Sequence, residues 1–298
     1  MSENPLSIVE ISQSRASPGA NNEFPTWHLG PHSKGTSRLE AMPTALITGG
    51  TSGIGLAFAR ELAQRGHDLV IVGRSEASLA EICTQLANEH DVTVEPLVAD
   101  LAYLDQIERV QARVESADQP IDVLVNCAGF AVNSKLADPD DDRKLAAMNV
   151  MVNSVMLLSS SAARSMLTRD KGMIINVGSA SAWIIKGNYS AIKSWVVTYT
   201  QALAAELDGT GVQATVVIPG WVKTDWHQKA GVKRPKLPNW MWIEPDEVVS
   251  AALDAAERDK PVAIPTRIWR LIIPLVKHAP SSLTRTFSKR LIRSREAK

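Results

Sequence analysis

Cysteine is almost missing from this 298-residue chain. Cys83 and Cys127 are too few for a disulfide framework and fit a reducing, cytoplasmic setting. Neither sign of charge is in excess: 32 Lys/Arg cancel 32 Asp/Glu. The molecule is therefore not shaped as an electrostatic sleeve for nucleic acid, and no nucleic-acid partner is expected. The histidines, His28, His32, His67, His90, His227 and His278, form no metal-ligand cluster with one another or with the cysteines, so no metal is expected. No run approaches 18 uninterrupted apolar residues, which argues against a transmembrane helix. The N-terminus has no basic region leading into an apolar stretch, so a secretory signal is not expected. What remains, 45% hydrophobic and 21% charged, is an ordinary globular composition with enough apolar residues for a sizeable core.

Residues 1–41 carry Ser, Asn, Pro and Gly without period and read as a disordered N-terminal extension. Met42 stands just before the first apolar run, and a start there is the alternative. From that point the pattern alternates. Apolar runs at 45–48, 69–72, 94–98, 121–125, 173–177, 213–218 and 261–264 read as buried strands. Helical spacing fills 54–65, 76–89, 103–116, 140–168 and 190–207. Such alternation predicts an α/β fold, a parallel sheet covered on both faces, in one domain over 42–265. Ligands of such sheets bind at the carboxyl ends of the strands.

The first run ends in a glycine cluster, Thr48-Gly49-Gly50-Thr51-Ser52-Gly53-Ile54-Gly55, and a helical pattern follows. Glycine suits close backbone approach and positive φ, and a helix N-terminus offers unpaired N–H groups to an anion. The cluster is a candidate pyrophosphate cradle; an ordinary strand-to-helix turn is the other reading. The second strand ends Val72-Gly73-Arg74-Ser75, with no acid to bind a ribose 2′-OH. Arg74 suits a 2′-phosphate, or is simply a solvated loop cation. Asp100, Asn126, Ala128 and Gly129 stand at strand ends where an adenosine would pass, though turn chemistry explains them equally. Tyr189 and Lys193 are spaced i, i+4, which puts them on one helical face. A cation near the phenol would lower its pKa from about 10 and equip it to protonate a developing alkoxide. Ser179 ends the preceding strand, and Asn149 lies within the long helix before it.

Taken in order, Thr48-Gly49-x-x-x-Gly53-Ile54-Gly55, Asp100-Leu101, Asn126-x-Ala128-Gly129, Asn149, Ser179, Tyr189-x-x-x-Lys193 and Pro219-Gly220-x-Val222-x-Thr224 resemble the short-chain dehydrogenase/reductase family across residues 42–265. The resemblance implies a Rossmann-type, doubly wound sheet of about seven parallel strands. It implies Tyr189 as general acid/base, Lys193 lowering its pKa and binding the nicotinamide ribose, and Ser179 on the substrate carbonyl. Asn149 would support a water in a proton relay. Thr224 would help hold the nicotinamide carboxamide and pyrophosphate, with Thr51, Ser52, Ile54, Leu101, Pro219, Gly220 and Val222 also against the cofactor. NADP (NADPH) is expected, NAD less so. Two departures stand out. The loop from Ala180 to Asn188 is short, like that of a bacterial carbonyl reductase branch, and leaves Ser181 as the alternative to Ser179. Asn-Cys-Ala-Gly replaces the usual Asn-Asn-Ala-Gly, and Cys127 reads as packing rather than reacting.

Trp221, Trp226, Trp240 and Trp242 cluster after Pro219, where the family carries a mobile cover over substrate. With Trp183 they point to a bulky, apolar carbonyl or alcohol substrate, or else pack a surface loop or a subunit contact. Apolar residues on more than one face of the helices at 140–168 and 190–207 predict a homodimer or homotetramer. Residues 267–298 hold nine Lys/Arg and one Glu, a formal charge of +8, with the rest of the chain near −8. Interleaved with Ile268, Trp269, Leu271, Ile272, Ile273, Leu275 and Val276, this segment fits peripheral contact with anionic lipid, a cover for the sheet edge, or a partner subunit. The functional expectation is an NADPH-dependent carbonyl reductase or alcohol dehydrogenase. The alternative is a non-catalytic nicotinamide-binding sensor or scaffold.

Overall fold

The computed structural model describes residues 42–132, 136–184, 187–224 and 238–278. The chain runs β1 (Thr44–Thr48), α1 (Gly53–Gln64), β2 (Asp68–Gly73), α2 (Glu76–His90), β3 (Val94–Val98), α3 (Leu104–Val114) and β4 (Val123–Asn126). A long helix follows in two parts, α4 (Asp142–Met148) and α5 (Ser154–Leu167). Then come β5 (Gly172–Val177), α6 (Gly187–Glu206), β6 (Val212–Val217), β7 (Trp221–Val222), β8 (Trp242–Ile243), α7 (Pro245–Ala256), β9 (Val262–Ala263) and α8 (Arg267–Lys277). Seven strands form one sheet in the order β3-β2-β1-β4-β5-β6-β9, and every neighbouring pair is parallel. This is the doubly wound, Rossmann-type arrangement. The sheet order reverses between β1 and β4, which makes their carboxyl ends the ligand crevice.

The strands are apolar throughout because both faces are covered. Ile47, Ile71, Val125 and Ile175 point into one core with Phe58 and Leu62 of α1 and Val248 and Leu253 of α7. Their neighbours Leu46, Val70, Leu124 and Ile174 point into the other, with Ile107 of α3 and Leu158 and Met166 of α5. Each such side chain removed from water contributes roughly 1.5–3 kcal/mol. Polar side chains thread the second layer. Asn176 Oδ1 accepts from Asn126 Nδ2 at 2.9 Å and Ser159 Oγ at 3.3 Å, and Asn176 Nδ2 donates to Thr200 Oγ1 at 3.0 Å. These four buried residues join β4, β5, α5 and α6 beneath the crevice.

Three features depart from the sequence reading. The helix expected over 140–168 widens to a π-helical turn at Asn149–Asn153, where Ser154 N–H reaches Asn149 C=O. The helix α7 was not anticipated, although Glu244 and Glu247 form a capping box with Pro245 in the first turn, a legible start signal. The continuous run Asp142–Leu167 is, among the described residues, the one helix long and apolar enough to cross a membrane. Half of its most apolar stretch is buried inside the protein against the sheet, and the rest is half-buried or exposed.

Removing the central member of the polar chain tests its importance. Asn176→Ala strips a partner from Asn126 and from Thr200, and each buried unsatisfied group costs about 1–3 kcal/mol. Thermal unfolding followed by circular dichroism is expected to shift down by about 3–10 °C.

Candidate active site

The turn from β1 into α1 is built around the absence of side-chain carbon. Gly49 has φ +70°, and a Cβ there would lie 2.9 Å from the Ala128 Cα. A Cβ on Gly55 would fall 2.3 Å from the Gly49 carbonyl oxygen. Gly53 also has positive φ, +57°, and faces the Thr224 methyl at 3.4 Å from its Cβ position. Below them the buried Thr48 hydroxyl accepts from the N–H groups of Cys127 at 3.0 Å and Ala128 at 3.1 Å. That one hydroxyl ties the ends of β1 and β4 together. Ser52 caps α1 without a side-chain hydrogen bond, leaving the first-turn N–H groups open toward the crevice. The Thr51 methyl lies 3.2 Å from the Cβ position of Gly73, so the cradle abuts the end of β2. A carbon-free cradle at a helix N-terminus fits a dinucleotide pyrophosphate.

On the adenosine side, Arg74 is exposed and has no ion pair among the described residues. Asp100 is half-buried and closes a local turn, its carboxylate accepting from Ala102 N–H at 3.0 Å, and Leu101 beside it is buried. Ala128 and Gly129 keep backbone near the crevice; a Cβ on Gly129 would meet Met151 Sδ at 3.1 Å. The Asn126 side chain is committed to the buried chain with Ser159 and Asn176 and so holds strands together, which leaves its backbone at the strand end beside the crevice.

The helix α6 opens at Gly187, φ +68°, and carries Tyr189 in its first turn and Lys193 one turn on. Ser179, at the end of β5, is hydrogen-bonded to the Tyr189 phenol. Ser181 instead gives its N–H to Ser179 Oγ at 3.1 Å, so Ser179 is the serine paired with the tyrosine. Lys193 Nζ is 5.8 Å from the centre of the tyrosine ring and donates to Val177 C=O at 2.7 Å. Burial decides the protonation of all three groups here. It pushes the Tyr189 phenol up to about 12, the reverse of the expected lowering, because burial outweighs the Ser179 hydrogen bond. It holds the Lys193 ammonium down at about 8. It drives the Cys127 thiol up to about 12, so Cys127 packs and does not act as a thiolate. The Asn149 side chain donates to Ala102 C=O at 2.7 Å and accepts from Asn153 Nδ2 at 2.8 Å, which braces the π-turn.

After β6 the described chain passes beside Ser179 and, at Thr224, beside Gly53. Pro219 C=O accepts from Ala180 N–H at 2.9 Å, beside Ser179. Trp221 and Val222 of β7 pair with Trp242 and Ile243 of β8, the two indoles 6.2 Å apart. Gly220 has no room for a side chain because the Trp269 ring of α8 fills it. Trp183 packs with Ile218 and Ile273 along a groove of about 190 Å³ beneath α8. Trp226 and His227 lie outside the described residues. Thr48 and Trp269 were not singled out for the site from sequence; Thr48 directly precedes the first motif glycine, while nothing local marks Trp269.

A family profile for short chain dehydrogenases matches residues 43–234. The chain belongs to that family. A galactitol 2-dehydrogenase (L-tagatose-forming) from Cereibacter sphaeroides is 31% identical over 221 residues, 70% of this chain and 85% of that protein. A short-chain dehydrogenase from Sphingobium yanoikuyae, solved in complex with NADPH, is 31% identical with a TM-score of 0.71, covering 78% of this chain and 92% of its own. A bulky-bulky ketone specific alcohol dehydrogenase from Comamonas testosteroni is 27% identical with a TM-score of 0.68, covering 80% of this chain and 96% of its own. This short-chain dehydrogenase is therefore an oxidoreductase with an NAD(P)-binding Rossmann fold.

The buried lysine makes a stability prediction. Its folded pKa, about 8, lies below the ordinary 10.5, so folding disfavours its charged form. The destabilisation is complete below pH 8 and vanishes above 10.5, at about 1.4 kcal/mol per unit of difference. Lys193→Met is expected to melt several degrees higher at pH 7, with the gap closing as pH rises through that window. Equal melting at pH 7 contradicts the assignment.

Proposed function

We propose that this short-chain dehydrogenase is an NADPH-preferring carbonyl reductase, or the corresponding alcohol dehydrogenase, for a bulky apolar ketone or aldehyde. The observation that carries the reading is the Ser179–Tyr189 hydrogen bond, one helical turn from Lys193, at the strand ends beside the glycine cradle. When bound, the nicotinamide cofactor supplies a hydride. Ser179 and Tyr189 together hold the substrate oxygen. Tyr189 keeps its proton at neutral pH because its pKa is raised, and donates it to that oxygen as negative charge develops there. Lys193 binds the ribose hydroxyls and adds positive charge near the phenol. Asn149, braced as it is, supports the proton path through the shape it gives the π-turn. An intact Ser–Tyr–Lys set argues against a non-catalytic sensor.

Arg74, exposed and without an internal acid, supports a 2′-phosphate over a bare ribose, as does the NADPH complex of the Sphingobium relative. The ketone specificity named for the Comamonas enzyme supports an apolar substrate, as do Trp221 and Trp242, paired after Pro219, whereas Trp183 packs beneath α8. The sugar-alcohol activity of the Cereibacter relative belongs to a more polar substrate than these indoles favour. Self-association is supported by Leu145, Met148 and Met156, exposed on the α4–α5 helix, and by the Trp195–Tyr199 stack on α6, whose hydroxyl reaches Met156 C=O. A homodimer or homotetramer follows. Two free thiols accord with a reducing compartment.

Two substitutions test the reading. Tyr189→Phe removes one hydroxyl; turnover with NADPH on a carbonyl panel is expected to fall at least about 10²–10⁴-fold with cofactor affinity nearly unchanged. Arg74→Ala should weaken NADPH by about ten- to a hundredfold and NADH little, measured by cofactor fluorescence titration. Equal loss for both cofactors overturns the phosphate role.

A further inference from the structure

We propose that α8 is a docking surface for an anionic lipid bilayer. The helix is apolar on two sides, and the structure assigns them different tasks. Trp269 and Ile273 are buried at 6% and 4% exposure. The Trp269 ring fills the space above Gly220, and its indole N–H donates to Met241 C=O at 3.2 Å. Thr266 caps the helix through Trp269 N–H, and Arg270 Nε donates to Ile264 C=O at 2.9 Å. These contacts fix the rotation of the helix about its axis. Leu271 and Leu275, one turn apart, are then left outside at 70% and 72% exposure. They are the two most exposed large apolar side chains among the described residues. Trp240, 59% exposed, stands next to Met241, the residue that receives the Trp269 indole.

Charge selects the occupant. The helix has Arg267, Arg270 and Lys277 and no acidic residue, and Arg267 and Lys277 have no ion pair among the described residues. The sequence beyond it adds Arg285, Lys289, Arg290, Arg293, Arg295 and Lys298 against Glu296 alone. A second copy docked through this same face would set like charge against like charge. Nucleic acid would leave the leucines without a partner. A bilayer interface takes both: leucine into the acyl boundary and cations at anionic headgroups.

The test is sedimentation of the full chain with vesicles of phosphatidylcholine alone and of phosphatidylcholine mixed with phosphatidylglycerol. Binding is expected only to the mixed vesicles and should fall with added salt. The double variant Leu271→Ser, Leu275→Ser is expected to bind them about tenfold or more weakly, with unchanged melting temperature and light-scattering mass. A chain ending at His278 should bind more weakly and with a flatter salt dependence, yet still detectably. The proposal fails if the full chain ignores the mixed vesicles or binds both compositions equally. It also fails if the double variant binds like the parent, or if the shortened chain loses all binding. A drop in mass of the double variant would mark a subunit interface instead.

Discussion

The close passage of backbone over backbone where β1 turns into α1 governs the geometry of this protein. Gly49 lies against Ala128, Gly55 lies against Gly49, and the Thr48 hydroxyl holds both strand ends from below. No side chain larger than hydrogen fits at either glycine without moving backbone. The chain segments on either side of the turn are registered against these same atoms. Thr51 touches Gly73 and so places the cradle beside Arg74, while Thr224 touches Gly53 and brings the chain after β6 to the same loop. The parallel sheet makes this possible, because only at the reversal between β1 and β4 do two strand ends diverge and leave a crevice.

Tyr189 and Lys193 sit one layer away, and their protonation is governed by dehydration. Tyr189 and Lys193 are pushed toward their neutral forms by the same surroundings. A neutral phenol is a proton donor, and the raised pKa keeps Tyr189 in that form at neutral pH. The lysine carries the opposite consequence: charged at neutral pH with one carbonyl partner, it weakens the fold that holds it. The helix bearing both residues is tied to the sheet through Thr200, Asn176 and Asn126, a chain that is fully buried. Those hydrogen bonds register α6 against β4 and β5.

The far end of the chain belongs to the same construction. By filling the space above Gly220 and binding Met241, Trp269 touches both sides of the stem from which the segment after β6 departs and returns. Its helix thus serves the site from within while carrying an excess of cations and two exposed leucines outward. The near-equal and opposite charges of the last 32 residues and of the remainder cancel in the whole-chain total, which conceals this polarity.

The alternation of apolar runs and helical spacing carried the layered parallel sheet, because strands buried on both faces must be apolar throughout. Glycine spacing carried the cradle, because glycine alone tolerates positive φ and a missing Cβ there. The i, i+4 spacing of Tyr189 and Lys193 carried their shared helical face, because that is a property of local geometry. Tertiary structure decided the rest. Whether a cation lowers a phenol's pKa depends on how much water both have lost, and that is settled by elements distant in sequence. Asn126 and Asn149 look available as residues in a string, yet their amides are taken by Asn176, Ser159, Ala102 and Asn153, partners 4 to 50 residues away. The same holds for α8: its composition allowed a membrane, a sheet edge or a subunit. Only the burial of Trp269 and Ile273 determined which side faces the protein, since rotation of a helix about its axis is fixed by the surface it meets.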